Sequence, residues 1–258
     1  MADINWLIAD IETGPQGPQV GAFFDFDGTL SPIVDRPGDA RPGPGVVDAL
    51  VVLAARYRTV TVVSGRPVAF LADHLPPGID LSGLYGLERR VDGIVGAMAG
   101  TDRWRGVIAD AVSRLEGDLP TEVFVEPKGL SVTVHTRLRP DLADAAAKVV
   151  HEVGAALDLD VRPAKSSLEL HPPVAVDKGT VVRELAAGAD AVLYAGDDVG
   201  DTPAFRALHE LRAGGVETLA VLVESSGTPV ELHALVDVRV GPGDVLDLLT
   251  VLASPPSS

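Results

Sequence analysis

Apolar positions follow two rhythms along this chain: short unbroken runs, and longer stretches in which they recur every three or four residues. Residues 21–26 are apolar on both faces, as a buried parallel strand requires, and run straight into Asp27-Gly28-Thr29. Residues 45–56 carry Val46, Leu50, Leu53 and Ala54 at helical spacing, and residues 59–63 form a β-branched strand ending at Ser64-Gly65-Arg66. Pro67 suits the first turn of a helix reaching His74, and residues 81–87 read as a third short strand. Further on, helices are predicted over 177–187, 201–211 and 245–252, and strands over 191–195, 218–223 and 236–240. Strands alternating with helices imply an α/β fold, a parallel sheet covered on both faces. Right-handed crossovers then bring every strand's carboxyl end to one side.

Between residues 91 and 170 the rhythm changes. A helix over 104–115, strands over 123–126 and 130–137, an Ala-rich helix over 141–157 and extended runs at 160–162 and 167–170 make an α+β unit. The expected organisation is a core from residues 1–90 and 171–258, interrupted by an inserted domain at 91–170. The first fifteen or so residues and the Ser/Pro tail from Ser254 read as loose.

A chain of 258 residues that is 46% hydrophobic can bury such a core. No apolar run is long enough to cross a bilayer, and the start lacks the basic and apolar stretches of a signal peptide, so no membrane partner is expected. Cysteine is absent, which removes disulfides and thiolate metal sites and suits a cytoplasmic location. The formal charge of -16 argues against nucleic acid, whose phosphates call for rows of Lys and Arg. An acidic protein that handled a phosphate would have to gather local positive charge from a metal ion, backbone N–H groups or a few placed cations.

That requirement directs attention to the strand ends. Asp25 and Asp27 lie two apart, so both side chains face one side while Phe26 faces away. Such a pair suits phosphoryl transfer: one carboxylate attacks phosphorus, the other protonates the leaving alkoxide and later activates water. Gly28 and Thr29 bring N–H groups that can face a phosphate, and Ser64 with Gly65 offers a second hydroxyl and backbone donor. Lys178 opens a helix, and Gly196-Asp197-Asp198 closes the strand that follows. Carboxylates crowded at a strand end repel one another unless a cation sits among them, and all-oxygen ligation suits Mg2+. Taken singly, each is an ordinary cap or surface charge; in this order they would surround one crevice.

With these residues assembled, the sequence resembles the haloacid-dehalogenase (HAD) superfamily. DFDGTL is similar to its first motif, the Ser64 turn to its second, Lys178 to its third and GDDVGD to its fourth. The resemblance implies a Rossmann-like core with a C2B-type α+β cap, Asp25 as nucleophile and Asp27 as general acid and base. It also implies Mg2+ held by Asp25, the Asp27 carbonyl and Asp197, with Asp198 and Asp201 in support.

A closer likeness, spanning residues 21–252, is to the trehalose-6-phosphate phosphatases. It is carried by DFDGTLSPIV, SGRP, the YGLE at Tyr85 to Glu88, EPKGLSVTVHTR from Glu126, KSSLELHPP from Lys165, DKG and GPGDVLDLL. The likeness implies a monomer acting on a small-molecule sugar phosphate, with Glu126, Lys128 and Glu169 on the glucose hydroxyls and Arg66, Glu88 and His135 nearby. Departures fall at Gly200 and Thr202, where the family has Thr and Glu, and at His171, where an arginine commonly stands. The alternatives are a sibling phosphatase for another sugar or glycosyl phosphate, a non-catalytic sugar-phosphate binder, and a phosphomutase.

Overall fold

The computed structural model describes residues 19–254 apart from Lys165; the loose start and tail expected from the sequence otherwise lie outside the described residues. Contacts divide the chain into two compact units. One comprises the residues up to Val95 together with those from Val176 onward, and the other is Gly96–Ala175.

The first unit is built on a sheet. Strands β1 (Val20–Phe24), β2 (Thr59–Val63), β3 (Asp80–Gly83), β4 (Glu88–Val91) and β5 (Ile94–Ala97) come before the second unit, β5 running across the boundary between the two. Strands β10 (Ala191–Gly196), β11 (Glu217–Val223) and β12 (Val238–Val240) come after it. Their order is β12-β11-β10-β1-β2-β3-β4-β5, parallel from β12 to β3 and antiparallel from β3 to β4. Helices α1 (Val46–Ala54) and α2 (Val68–Ala72) follow β1 and β2. Beyond the second unit, α5 (Lys178–Leu185), α6 (Thr202–Ala213) and α7 (Val245–Ala253) complete the covering.

The period-two alternation of β1 sorts its side chains between two cores. Val20, Ala22 and Phe24 pack with Leu50, Leu71 and Leu249 from α1, α2 and α7, while Phe23 packs with Val182 and Phe205 from α5 and α6. Both faces are thus covered, and β1 and β10 are buried throughout. The chain leaves β1 toward β2 on one side and returns to β10 on the other, which makes the β1/β10 boundary a topological switch point, where α/β sheets open a crevice at their carboxyl ends.

One expected strand is corrected. Residues 81–87 do not run on as a strand: β3 stops at Gly83, and Leu84 and Tyr85 take left-handed backbone angles with φ of 50° and 57°. A Cβ on Gly83 would stand 2.6 Å from the Arg66 carbonyl oxygen, so only glycine lets this turn pack against the one after β2. The chain then doubles back as β4, antiparallel to β3.

In the second unit, β6 (Phe124–Pro127), β7 (Val132–His135), β8 (Asp160–Ala164) and β9 (Ser167–His171) form an antiparallel sheet in the order β6-β7-β9-β8. Val132, Val134 and Leu170 share a core with Ile108 and Leu115 of α3 (Trp104–Asp118) and with Val150 of α4 (Ala143–Leu157). Thr133, and Glu126 and Glu169 opposite it, alternate with these apolar residues and take the other face. Among the described residues, no helix is long and apolar enough to cross a membrane.

Candidate active site

Asp25 follows directly on β1 and is tied to the neighbouring strand by its N–H, which donates to the Ala195 carbonyl at 2.8 Å. Lys178 is the first residue of α5. That helix starts there because Asp177 caps it, its carboxylate accepting the Thr180 N–H at 2.7 Å and the Thr180 hydroxyl at 2.9 Å. The capped start delivers the Lys178 Nζ to 2.7 Å from Asp25 Oδ1 and 2.7 Å from Asp201 Oδ1, with all three residues buried.

Asp201 is the hub of the turn after β10. Its Oδ1 takes Lys178 Nζ and the Tyr194 hydroxyl, the latter at 2.6 Å, while its Oδ2 takes the N–H groups of Asp197 at 2.8 Å and Asp198 at 3.1 Å. Gly196 permits this, since a Cβ there would lie 2.3 Å from the Asp201 carboxyl carbon. Asp198, read from the sequence as a metal ligand, turns Oδ1 to the Gly200 N–H at 2.7 Å.

The carboxylates of Asp25, Asp197 and Asp201 each offer an oxygen within 4.8 Å of the others. Burial, foremost, pushes the Asp25 carboxyl well above its ordinary range; Lys178 opposes this, and Asp201, Asp197 and Asp198 add to it. Burial alone would lower Lys178, but the Asp201 and Asp25 carboxylates outweigh it and hold the ammonium firmly charged. One lysine therefore faces several carboxylates, and the charge is unbalanced in the sense a divalent cation corrects. Hard oxygen donors at this spacing fit Mg2+.

One expectation for the phosphate cradle needs correcting. The Gly28 N–H, expected to face a phosphate, donates to the Ser31 carbonyl at 2.7 Å. Glycine is required there for another reason: φ is +90°, and a Cβ would stand 2.1 Å from an Asp197 carboxylate oxygen. Among the described residues the buried Thr29 hydroxyl has no hydrogen-bond partner, and the Ser64 Oγ accepts the Arg66 N–H at 3.1 Å, which leaves its proton to donate. Gly65 leaves room for Tyr85, whose ring would stand 2.8 Å from a Cβ.

Arg66, expected near the sugar, holds Asp27. Its Nε and one terminal nitrogen grip the two Asp27 oxygens at 2.7 Å each, the other terminal nitrogen donates to the Pro37 carbonyl at 2.7 Å, and the guanidinium lies 4.6 Å from the Phe70 ring centre. Glu88, also expected near the sugar, accepts the Val68 N–H at 3.1 Å at the start of α2.

In the second unit, Glu126, Lys128, His135 and Glu169 do come together. Lys128 Nζ lies 3.5 Å from Glu169 Oε2 and 4.0 Å from Glu126 Oε2, and His135 Nε2 lies 2.8 Å from the latter oxygen. The register explains the meeting: Thr133 pairs with Glu126 on one side and with Glu169 on the other, which makes one row across three strands. Among the described residues, the second oxygen of Glu169 is buried without a hydrogen-bond partner.

Sequence reasoning left out Tyr194, the Tyr85 brace and the link from the Thr228 hydroxyl to the Asp197 carbonyl at 3.4 Å. A phenol in an otherwise apolar central strand was a readable signal; nothing in the sequence marks Thr228.

The fold, with this cluster at the ends of β1 and β10, is that of the haloacid-dehalogenase superfamily. A solved structure of the Candida albicans trehalose-6-phosphate phosphatase C-terminal domain superposes with a TM-score of 0.77 at 24% identity, covering 97% of this chain and 96% of that one. A trehalose-6-phosphate phosphatase related protein gives 0.76 at 23%, covering 90% and 96%. The trehalose-phosphatase family pattern matches residues 23–235, and this chain belongs to that family. The trehalose-phosphate phosphatase of Mycobacterium avium (strain 104) is 37% identical over 222 residues, or 81% of this chain and 56% of that protein. The chain thus spans about half the length of the curated relatives it matches.

Proposed function

We propose that this chain hydrolyses trehalose 6-phosphate to trehalose and phosphate through an aspartyl-phosphate intermediate. Asp25 attacks phosphorus with one carboxylate oxygen, and the bond from phosphorus to the sugar oxygen breaks. The leaving alkoxide takes a proton from Asp27. Asp27 then removes a proton from water as the water oxygen attacks the same phosphorus. The bond to Asp25 breaks, which releases inorganic phosphate and restores the carboxylate. Lys178, the Thr29 hydroxyl and the Ser64 hydroxyl meet the negative oxygens of the transferring group.

Asp25, the Asp27 carbonyl and Asp197 would hold Mg2+, with Asp198 and Asp201 behind them; the ion supplies the positive charge this acidic cluster lacks. Because Arg66 grips both Asp27 oxygens, it keeps the carboxyl group aimed. We take Gly96–Ala175 as the cap and its row of Glu126, Lys128, His135 and Glu169 as the sugar reader, since clustered carboxylates and an amine can bond several hydroxyls at once.

The observation that carries this reading is the buried contact of Lys178 with Asp25, with Asp197 and Asp201 within carboxylate reach, in a chain of the trehalose-phosphatase family. It is tested by phosphate release from trehalose 6-phosphate, sucrose 6-phosphate, glucosylglycerol phosphate and an aryl phosphate, with Mg2+ and with chelator. Mg2+-dependent release fastest from trehalose 6-phosphate is the expected result. Binding without release from any of them would make the chain a sugar-phosphate sensor.

A further inference from the structure

Tyr194 is among the largest fully buried side chains of the protein, and its ring packs edge-on against Phe205 with centroids 5.6 Å apart. A phenylalanine would fill that space equally well. What needs a reason is the hydroxyl, because burying one is costly unless it is hydrogen-bonded. It donates at 2.6 Å to Asp201 Oδ1, the same oxygen that takes Lys178 Nζ at 2.7 Å.

Lys178 Nζ is thus shared between two carboxylates at equal distance, Asp201 on one side and Asp25 on the other. An ammonium between two anions settles toward the one whose charge is less satisfied. Asp201 cannot turn away, because its second oxygen is pinned by the Asp197 and Asp198 N–H groups. The Tyr194 hydroxyl draws off part of the charge that Oδ1 would otherwise direct at Lys178.

We infer that Tyr194 is a positioning residue for Lys178, acting through Asp201: its hydroxyl keeps the ammonium from being captured by Asp201 and holds it against Asp25. The inference rests on the proposed role of Lys178 as the cation that meets the transferring phosphoryl group. Without the hydroxyl, Nζ moves toward Asp201 and off Asp25.

Tyr194→Phe tests this, because it keeps the ring and removes one oxygen. With Mg2+ and the best substrate of the panel, kcat is expected to fall about tenfold with KM within about twofold. The inhibition constant of orthovanadate, which mimics the transferring group, should rise by about the same factor as kcat falls. A crystal structure of the variant should show Nζ farther from Asp25 Oδ1 than in the wild type. An unchanged kcat, a change in KM alone, or a kcat loss matched by loss of folded protein with vanadate inhibition intact overturns the inference. If the wild type releases no phosphate from any ester, the parent reading fails. The two crystal structures then decide the matter, since an unmoved Nζ overturns the positioning role whatever the activity.

Discussion

Gly28 sits where another side chain would strike the Asp197 carboxylate. Its φ of +90° is strained for any other residue, and the space a Cβ would need is filled by the Asp197 carboxylate. Gly28→Ala is expected to cost about 1–3 kcal/mol of stability and to weaken Mg2+ activation, read as a raised half-saturating Mg2+ concentration in the phosphate-release assay. Asp25→Asn should abolish turnover. Its effect on stability runs the other way. A carboxyl raised by burial favours the protonated form in the fold, so its cost is absent below the ordinary carboxylate range and fully present above the raised value. In chelator at neutral pH, the variant should therefore melt higher than the wild type, with Lys178 still paired to Asp201. A lower melting temperature would show that the Lys178–Asp25 contact outweighs the crowding. At this scale the sequence was informative about chemistry and silent about partners. Asp25, Asp27 and Lys178 stood out as reactive types at strand and helix ends. The grip of Arg66 on Asp27 crosses 39 positions and depends on how the turn after β2 folds back, which no local pattern records.

Elements were legible where burial dictated composition. Residues 59–63 match β2, and the predicted helix at 245–252 differs from α7 by one residue, because each buries a defined face with clear periodicity. The failures have a physical reason too. Glu88-Arg89-Arg90-Val91 carries three charges and shows no alternation, yet it pairs with β3, and Arg90 gains a structural task by donating to the carbonyls of Pro76 and Ile79. Cap strength belongs to this scale as well. Asp177→Ala should lower stability by about 1 kcal/mol, a loss of about 2–4 °C in Tm. It should also slow turnover beyond that loss, since the fraying first turn carries Lys178. In the second unit, the proximity of Glu126 and Lys128 was readable from one strand and its turn, but Glu169 joins them only through the β6-β7-β9 register. Lys128→Ala is expected to raise KM for trehalose 6-phosphate about tenfold and to spare an aryl phosphate; equal losses on both would remove the row from sugar recognition.

For the whole molecule, the charge of -16 sets a field that a phosphate dianion must cross. At saturating Mg2+, raising ionic strength from low to physiological values shortens the range of that repulsion. The expected result is a rise in kcat/KM of about twofold, where a site that steers its substrate by long-range attraction would show a fall. In the proposed mechanism, Lys178 and the Thr29 and Ser64 hydroxyls would act at contact distance, where salt screens them little.

The strand order also governs when the fold can close. β1 lies in the middle of the sheet, and one of its edges stays unpaired until β10 arrives, although residues 96–175 stand between them in sequence. At ribosomal speeds of about 5–20 residues per second, the nascent chain waits on the order of ten seconds with Asp25 made and Lys178 still to come. Through that interval an apolar central strand is open to the wrong neighbour, which makes newly synthesised chains the vulnerable population and a holding chaperone the natural guardian of this topology.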